Sequence, residues 1–267
     1  MAERLLTRRE RYRQETLTEI KQLAMRQIAQ GGTGALSLNA IAKAMGMSGA
    51  ALYRYFASRD DLLAGLIVDA YHDLADVLQA AARAGASPMA RFRAVTGAYR
   101  TWALAEPHRY RLVFSSPVGS GQLEPERVIP AAQRSMDVFL SVITEVSGSA
   151  PGPSAPPGPS ITPAPAEPPA PPVPSGPAEP PGLRTQLEVW HARSGASALP
   201  PGILLRALLA WTRLHGVLSL ELDGHLTATG IDPALVYQAE VDILATEQQP
   251  LAGSVHGAEG DGQQLRS

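Results

Sequence analysis

The chain has 267 residues, 45% of them hydrophobic but only 5% aromatic, so its core must be mostly Leu, Ala, Val and Ile, which suits helices. It contains no cysteine, which excludes disulfides, zinc ribbons and thiol catalysis. The net charge of −2 hides an asymmetry: residues 1–59 carry 10 Lys/Arg against 4 Asp/Glu, and the remainder 13 against 21. A basic head of this kind meets a polyanion or is simply a charged leading helix, and charge alone leaves both readings open. No stretch approaches the roughly 18 uninterrupted apolar residues of a membrane span. The Arg- and Glu-rich N-terminus lacks the apolar region of a signal peptide. Cytoplasmic residence without a membrane partner is therefore expected.

In chain order, residues 7–30 read as a helix, with Leu17, Ile20, Ala24 and Ile28 on one face and charges on the other. Gly31 and Gly32 stop it. Ser37 is placed to cap a short helix over 38–45, with Leu38, Ile41, Ala42 and Met45 turned inward. Gly46 supplies a tight turn and Ser48 caps a second short helix over 49–54. Ser58 and Asp61 form a capping arrangement for a longer helix. Helix, glycine turn, helix is the layout of a helix-turn-helix. Each short helix is marginal alone, so Leu52 and Phe56 must hold them against their neighbours.

A second helical region begins after residue 86. Ser87 and Pro88 read as N-cap and first helical residue, opening a helix with Phe92, Val95, Tyr99 and Trp102 along one side. Pro107 breaks it, HRYRLVF continues as a short helical segment, and residues 125–146 form an amphipathic helix with Ile129, Met136, Phe139 and Ile143. Residues 150–182 hold 15 of the 24 prolines and almost no large apolar side chain, so a disordered insertion is expected there. Residues 202–222 are apolar around nearly the whole circumference, as in a helix buried on more than one side. Asp232 and Pro233 open a final helix with Val236, Ala239 and Ile243 on one face, and the tail over 250–267 looks unstructured. No alternating strand pattern occurs, so the expected fold class is all-α.

In a helix-turn-helix the second helix enters the major groove with its N-terminal residues nearest the base edges. Here those are Ser48, Gly49, Ala50 and Ala51, small residues that allow close approach but offer few hydrogen bonds. Base reading would then lean on apolar contacts with thymine methyls and on DNA shape. Tyr53 and Tyr55 can reach phosphate oxygens, flanked by Arg54 and Arg59, and Arg59 is placed to clamp a phosphate. Ser37 and Asn39 can touch backbone or base edges, and Lys43 is a further phosphate candidate. Arg4, Arg8, Arg9, Arg11 and Arg13 form a leading arm suited to the DNA backbone or minor groove.

The stretch SLNAIAKAMGMSGAALYRYFASRDDLL, residues 37–63, resembles the helix-turn-helix signature of the TetR family of bacterial repressors. It has the opening hydroxyl residue, the Ile-Ala pair followed by Gly46 and Ser48, and then Leu52, Tyr53, Tyr55, Phe56, Ser58, Arg59 and Asp60 in the family's order. It departs in Arg59, where lysine is commoner, and in the Gly-Ala-Ala opening of the reading helix, which bears on base specificity. Downstream, Trp211-Thr212-Arg213-Leu214-His215-Gly216, with SLEL and DGHL, is similar to the motif of the WHG ligand-binding domain found in part of that family.

The resemblance implies an N-terminal three-helix DNA-binding domain and a C-terminal helical ligand-binding and dimerisation domain. It also implies a homodimer on a palindromic double-stranded operator, released by a small-molecule effector. The large groups available to an apolar pocket are Trp102, Tyr110, Phe114, Met136, Phe139, Trp211 and His215, each of which could equally be ordinary core. His215 could hold a hydrogen bond to a neighbouring helix, and Gly216 could permit close helix packing. The expected division is 1–14 as basic arm and helix start, 10–63 as DNA-binding domain, 64–149 and 183–249 as the two parts of the regulatory domain, 150–182 as insertion and 250–267 as tail. No cofactor or metal is expected, because no nucleophile elbow, phosphate loop or metal-spaced histidine pair occurs. The reading is therefore a regulator and not an enzyme, with an effector-free architectural DNA-binding protein as the alternative.

Overall fold

The computed structural model describes residues 7–115, 125–148, 182–192 and 199–247. Arg4, most of the proline-rich insertion and the tail lie outside the described residues. The described residues contain no β-strand.

Helix α1 (Arg8–Gly31) opens with a capping box in which the Thr7 hydroxyl accepts from the Glu10 N–H while the Glu10 carboxylate accepts from the Thr7 N–H at 2.7 Å. Arg8 to Arg13 are thus helical and exposed, not a free arm. The helix ends at the glycine pair, with Gly32 at φ 69. Helices α2 (Leu38–Ala44) and α3 (Gly49–Leu52) start at Ser37 and Ser48, whose hydroxyls accept from Ala40 and Ala51 N–H groups. Between them Gly46 takes φ 64, letting the Met47 N–H reach the Ala42 carbonyl at 2.9 Å and that of Gly46 reach Lys43. This is a Schellman turn, whose left-handed position favours glycine.

Helix α4 (Arg59–Ala84) runs from the head into the body. Its cap differs in one detail from the expected reciprocal box: the Ser58 hydroxyl accepts from the Asp61 N–H, but Asp61 accepts from Ala57, not Ser58. Against it pack α5 (Pro88–Ala105), α6 (Pro107–Ser115) and α7 (Pro125–Gly148). Helix α8 (Leu183–Ala192) leans on α9 (Pro201–Leu222), and α9 also packs on α7, on the short α10 (His225–Ala228) and on α11 (Pro233–Glu247). Helices α8 and α10 were not foreseen.

The structure assigns the faces of α11 and corrects the reading of Gly216. The buried face of α11 is Tyr237, Val241, Leu244 and Ala245, while Ala239 and Ile243 point outward and Val236 is only partly covered. The helix is apolar on both faces, so periodicity could not tell inside from outside. Gly216 does not serve close packing within the chain, since a Cβ there would meet nothing within 4 Å. Helix α9 is long and apolar enough to cross a membrane by length and composition. Its Leu204, Ala207, Ala210, Leu214 and Leu218 are instead buried against neighbouring helices, and its Arg213 is ion-paired to Glu240 and Glu247 on α11.

The four-residue α3 is held to the head by Leu52, which has no exposed surface. Leu52→Ala should destabilise the protein by about 2–5 kcal/mol, measured as a fall in the urea unfolding midpoint; a shift of a few tenths would show that α3 is anchored elsewhere.

Candidate DNA-contact surface and effector cavity

The head is a small core of Ile20, Ala24, Ile28, Leu36, Leu38, Ile41, Leu52 and Phe56 closed by Leu62, Leu63 and Leu66 of α4. Gln27 ties α1 to the start of α2 by accepting from the Ser37 N–H at 2.8 Å. With the apolar residues turned inward, Asn39, Lys43, Ser48, Ala50, Tyr53 and Arg54 are left exposed around α2 and α3. A Cβ at Gly49 would lie 4.0 Å from the Asn39 carboxamide, so the starts of the two short helices are side by side. Ser37, Gly49 and Ala51 are half-buried at the edge of this surface. Tyr55 is half-buried too, its ring 5.3 Å from the Arg13 guanidinium in a cation–π contact.

Arg59 is placed differently from the sequence reading. Its guanidinium donates to the Leu36 carbonyl at 3.2 Å and to the Thr33 carbonyl, and pairs with Asp60 at 3.0 Å. The side chain thus pins the 3₁₀ turn Thr33–Ala35 to the start of α4. A sequence shows that an arginine stands near a helix start, not that two carbonyls 23 and 26 residues upstream will occupy it.

In the body a cavity of about 280 Å³ lies among α4 to α9. Of the residues singled out in the sequence, Phe114, Met136, Phe139 and Trp211 line it. Trp102, Tyr110 and His215 do not. Trp102 is buried with its indole N–H donating to Asp73 at 2.9 Å, and Asp73 also takes Arg109 at 2.8 Å, so the Asp73 carboxylate clamps α4, α5 and α6 together. Tyr110 and His215 form a layer behind the wall, with the Tyr110 hydroxyl 2.8 Å from His215 Nδ1, 3.2 Å from its carbonyl and 3.1 Å from the Ser219 hydroxyl. Burial pushes the His215 pKa down, favouring the neutral ring.

Phe114 is the hub of the aromatic wall, edge-on to Tyr71 and Tyr99 at 6.3 Å each and 4.7 Å from His215. The sequence reading missed Tyr71, Gln133, Ser135 and Trp190 as lining residues. Trp190 carried a usable signal: LRTQLEVWHA, following the prolines, has helical spacing.

Residues 20–66 match the family described as bacterial regulatory proteins, tetR family, and residues 92–244 match the tetracyclin repressor-like C-terminal domain. HTH-type transcriptional regulator Rv1816 of Mycobacterium tuberculosis is 30% identical over 238 residues, covering 87% of this chain and 92% of the relative. The crystal structure of a protein described as regulatory, SCO4313, superposes with a TM-score of 0.67 at 39% identity, over 89% of this chain and 98% of that one. The transcriptional regulator FadR of Bacillus subtilis, solved with stearoyl-CoA, has the same fold at a TM-score of 0.54 and 10% identity, over 86% of this chain and 98% of that one.

The placement of Arg59 separates it from the exposed cations. Arg59→Ala should weaken DNA binding by loosening the head, with the slope of log affinity against log salt unchanged, whereas Lys43→Ala should reduce that slope by about one unit, as loss of one phosphate contact does. Equal slopes for both variants, read by fluorescence anisotropy, would contradict this assignment.

Proposed function

The chain belongs to the TetR family of DNA-binding transcriptional regulators, and we propose that within it the protein is an effector-released repressor, acting as a homodimer on a palindromic operator. The observation that carries this reading is that one helix serves both sites. The first turn of α4 closes the head, and Tyr71 and Leu74 of the same helix line the cavity about three turns further on. A second link runs through Asp61, which accepts from the Ala57 N–H just after the reading helix and from Arg127 on the cavity-lining α7 at 2.6 Å. Burial alone would raise the Asp61 pKa, but the hydrogen bonds from Arg127 and Ala57 outweigh it and hold the carboxyl below its ordinary value.

A ligand that prefers one arrangement of α7 against α4 would bias the orientation of the reading head through these links. Differential affinity for the two arrangements would then draw the protein off its operator. The stearoyl-CoA in the FadR structure supports a cavity of this fold as an effector site, without assigning that ligand here.

Dimerisation is supported by the outer faces of α9 and α11. Leu209, Gly216 and Leu220 share one side of α9 by their spacing, and Leu209, Leu220, Leu235 and Ile243 are exposed large apolar groups. Such a patch marks an interaction surface, and open space at Gly216 would admit a second helix pair. Two-fold pairing would present two heads to the halves of a palindrome.

The double variant Leu235→Glu/Ile243→Glu should sediment as a monomer and lose operator affinity at least tenfold, with its far-ultraviolet helicity intact. In mobility-shift assays with DNA from upstream of its own gene, the unmodified protein should prefer one palindrome by about 10³-fold over random DNA. Equal affinity for both DNAs would favour the architectural alternative, and an unaltered dimer in the double variant would remove the outer face of α11 from the interface.

A further inference from the structure

We propose that the cavity takes a compact, uncharged, ring-containing hydrophobe bearing a hydrogen-bond acceptor, and rejects carboxylates and acyl-CoA thioesters. This rests on the reading of the cavity as the effector site and adds the chemistry of the ligand.

Charge is decided by what the wall lacks. Among the described residues its lining includes no Asp, Glu, Lys, Arg or His. An ionised ligand would lose its hydration with no counter-charge in return, a cost that unpaired buried charges do not recover. His215 stands in the layer behind Phe114 and Trp211, at ring separations of 4.7 and 5.4 Å. Burial favours its neutral form, so it adds no positive charge near neutral pH.

Shape is decided by the rings. Tyr71, Tyr99, Phe114, Phe139, Trp190 and Trp211 make up most of the bulky lining. Several are fixed edge to face, with Tyr99 at 86° to Phe139 and 84° to Phe114. Panels so locked offer ring faces and edges to a flat guest. A flexible chain would lose more rotamer freedom on entering for the same burial. The volume of about 280 Å³ lies at the lower edge of ligand cavities, which run from roughly 300 to 1,000 Å³. That suits a molecule of about two rings.

The acceptor is decided by the polar groups left on the wall. Ser135 already donates to the Ala132 carbonyl at 2.8 Å. The Tyr71 hydroxyl and the indole N–H groups of Trp190 and Trp211 make no hydrogen bond to another described residue. Burial pushes the Tyr71 pKa up to about 12, so its hydroxyl stays protonated. The two indoles can only donate, and the phenol can. A carbonyl or ether oxygen answers such donors without bringing charge.

The test uses the full-length protein with three probes: methyl 2-naphthoate, 2-naphthoate and stearoyl-CoA. The first two share a ring system and differ in charge. The ester should raise the melting temperature, quench tryptophan emission and bind at least tenfold more tightly than either anion. Ala132→Phe, which fills the cavity, should abolish the ester's melting shift. Ala132→Val, expected to weaken it by severalfold, replaces that variant if it melts without cooperativity. Failure of the ester to bind, tighter binding of either anion, or ester binding unchanged in the filled variant would overturn the proposal. Operator titrations run in parallel keep the two readings apart. If the ester binds as expected but leaves operator affinity unchanged, the ligand class stands and the effector reading falls. If an anion binds more tightly and releases the operator, the effector reading stands and the ligand class falls.

Discussion

The fold depends on α4 being one unbroken helix with two sets of neighbours. At its start, Leu62, Leu63 and Leu66 complete the core that α1, α2 and α3 cannot form among themselves. Further along, Leu74 and Leu78 are buried in the body, where α4 packs on α5 and α7. Helices of four and seven residues have almost no stability of their own, because nucleation costs more than so few hydrogen bonds return. The reading head therefore exists only as far as α4 holds it. Whatever shifts α4 shifts the surface around α3 with it. Ser58, Asp61 and Arg59 fasten this junction through a cap, an ion pair to α7 and two carbonyl contacts to the preceding turn.

The sequence made the head legible because its signals are local. Ser37, Ser48, Ser58 and Ser87 each accept from a backbone N–H three residues on, and such caps can be read from spacing alone. Gly32 and Gly46 occupy positive-φ positions for equally local reasons. What escaped was long-range. The guanidinium of Arg59 is taken up by carbonyls of another segment, and the indole of Trp102 by a carboxylate 29 residues upstream on α4. Amphipathicity also fails where a helix has two apolar sides: in α11 the stripe of Val236, Ala239 and Ile243 is legible from spacing, but not that it is the outer one.

The cavity shows the same division between what periodicity gives and what packing decides. Phe114, Met136, Phe139 and Trp211 were identifiable as large apolar groups, but so were Trp102 and Tyr110, which lie off the cavity. Whether a large side chain faces space or a neighbour depends on helix crossings that no single segment encodes. Neither Tyr71, on the long helix that follows Ser58, nor Trp190, after the proline-rich stretch, stands out in the sequence as facing space.

The charge asymmetry noted at the outset acquires a structural cause in the way arginines are used. In the body most are spent on nearby carboxylates: Arg91 on Glu145, Arg100 on Glu221, Arg109 on Asp73, Arg111 on Asp223, Arg134 on Asp76 and Arg213 on Glu240. Each pair cancels its own field within a few ångströms, so the body presents little organised potential beyond its net negative charge. Around the start of α1 and the two short helices, Arg8, Arg9, Arg11, Lys43 and Arg54 are exposed and make no ion pair with a described residue. Their fields add instead of cancelling, and leave the head, where Asn39, Ser48 and Tyr53 also lie open, with an excess of uncancelled positive charge. An overall charge of −2 is therefore compatible with attraction to a polyanion, because what a duplex meets is the head and not the sum over the chain.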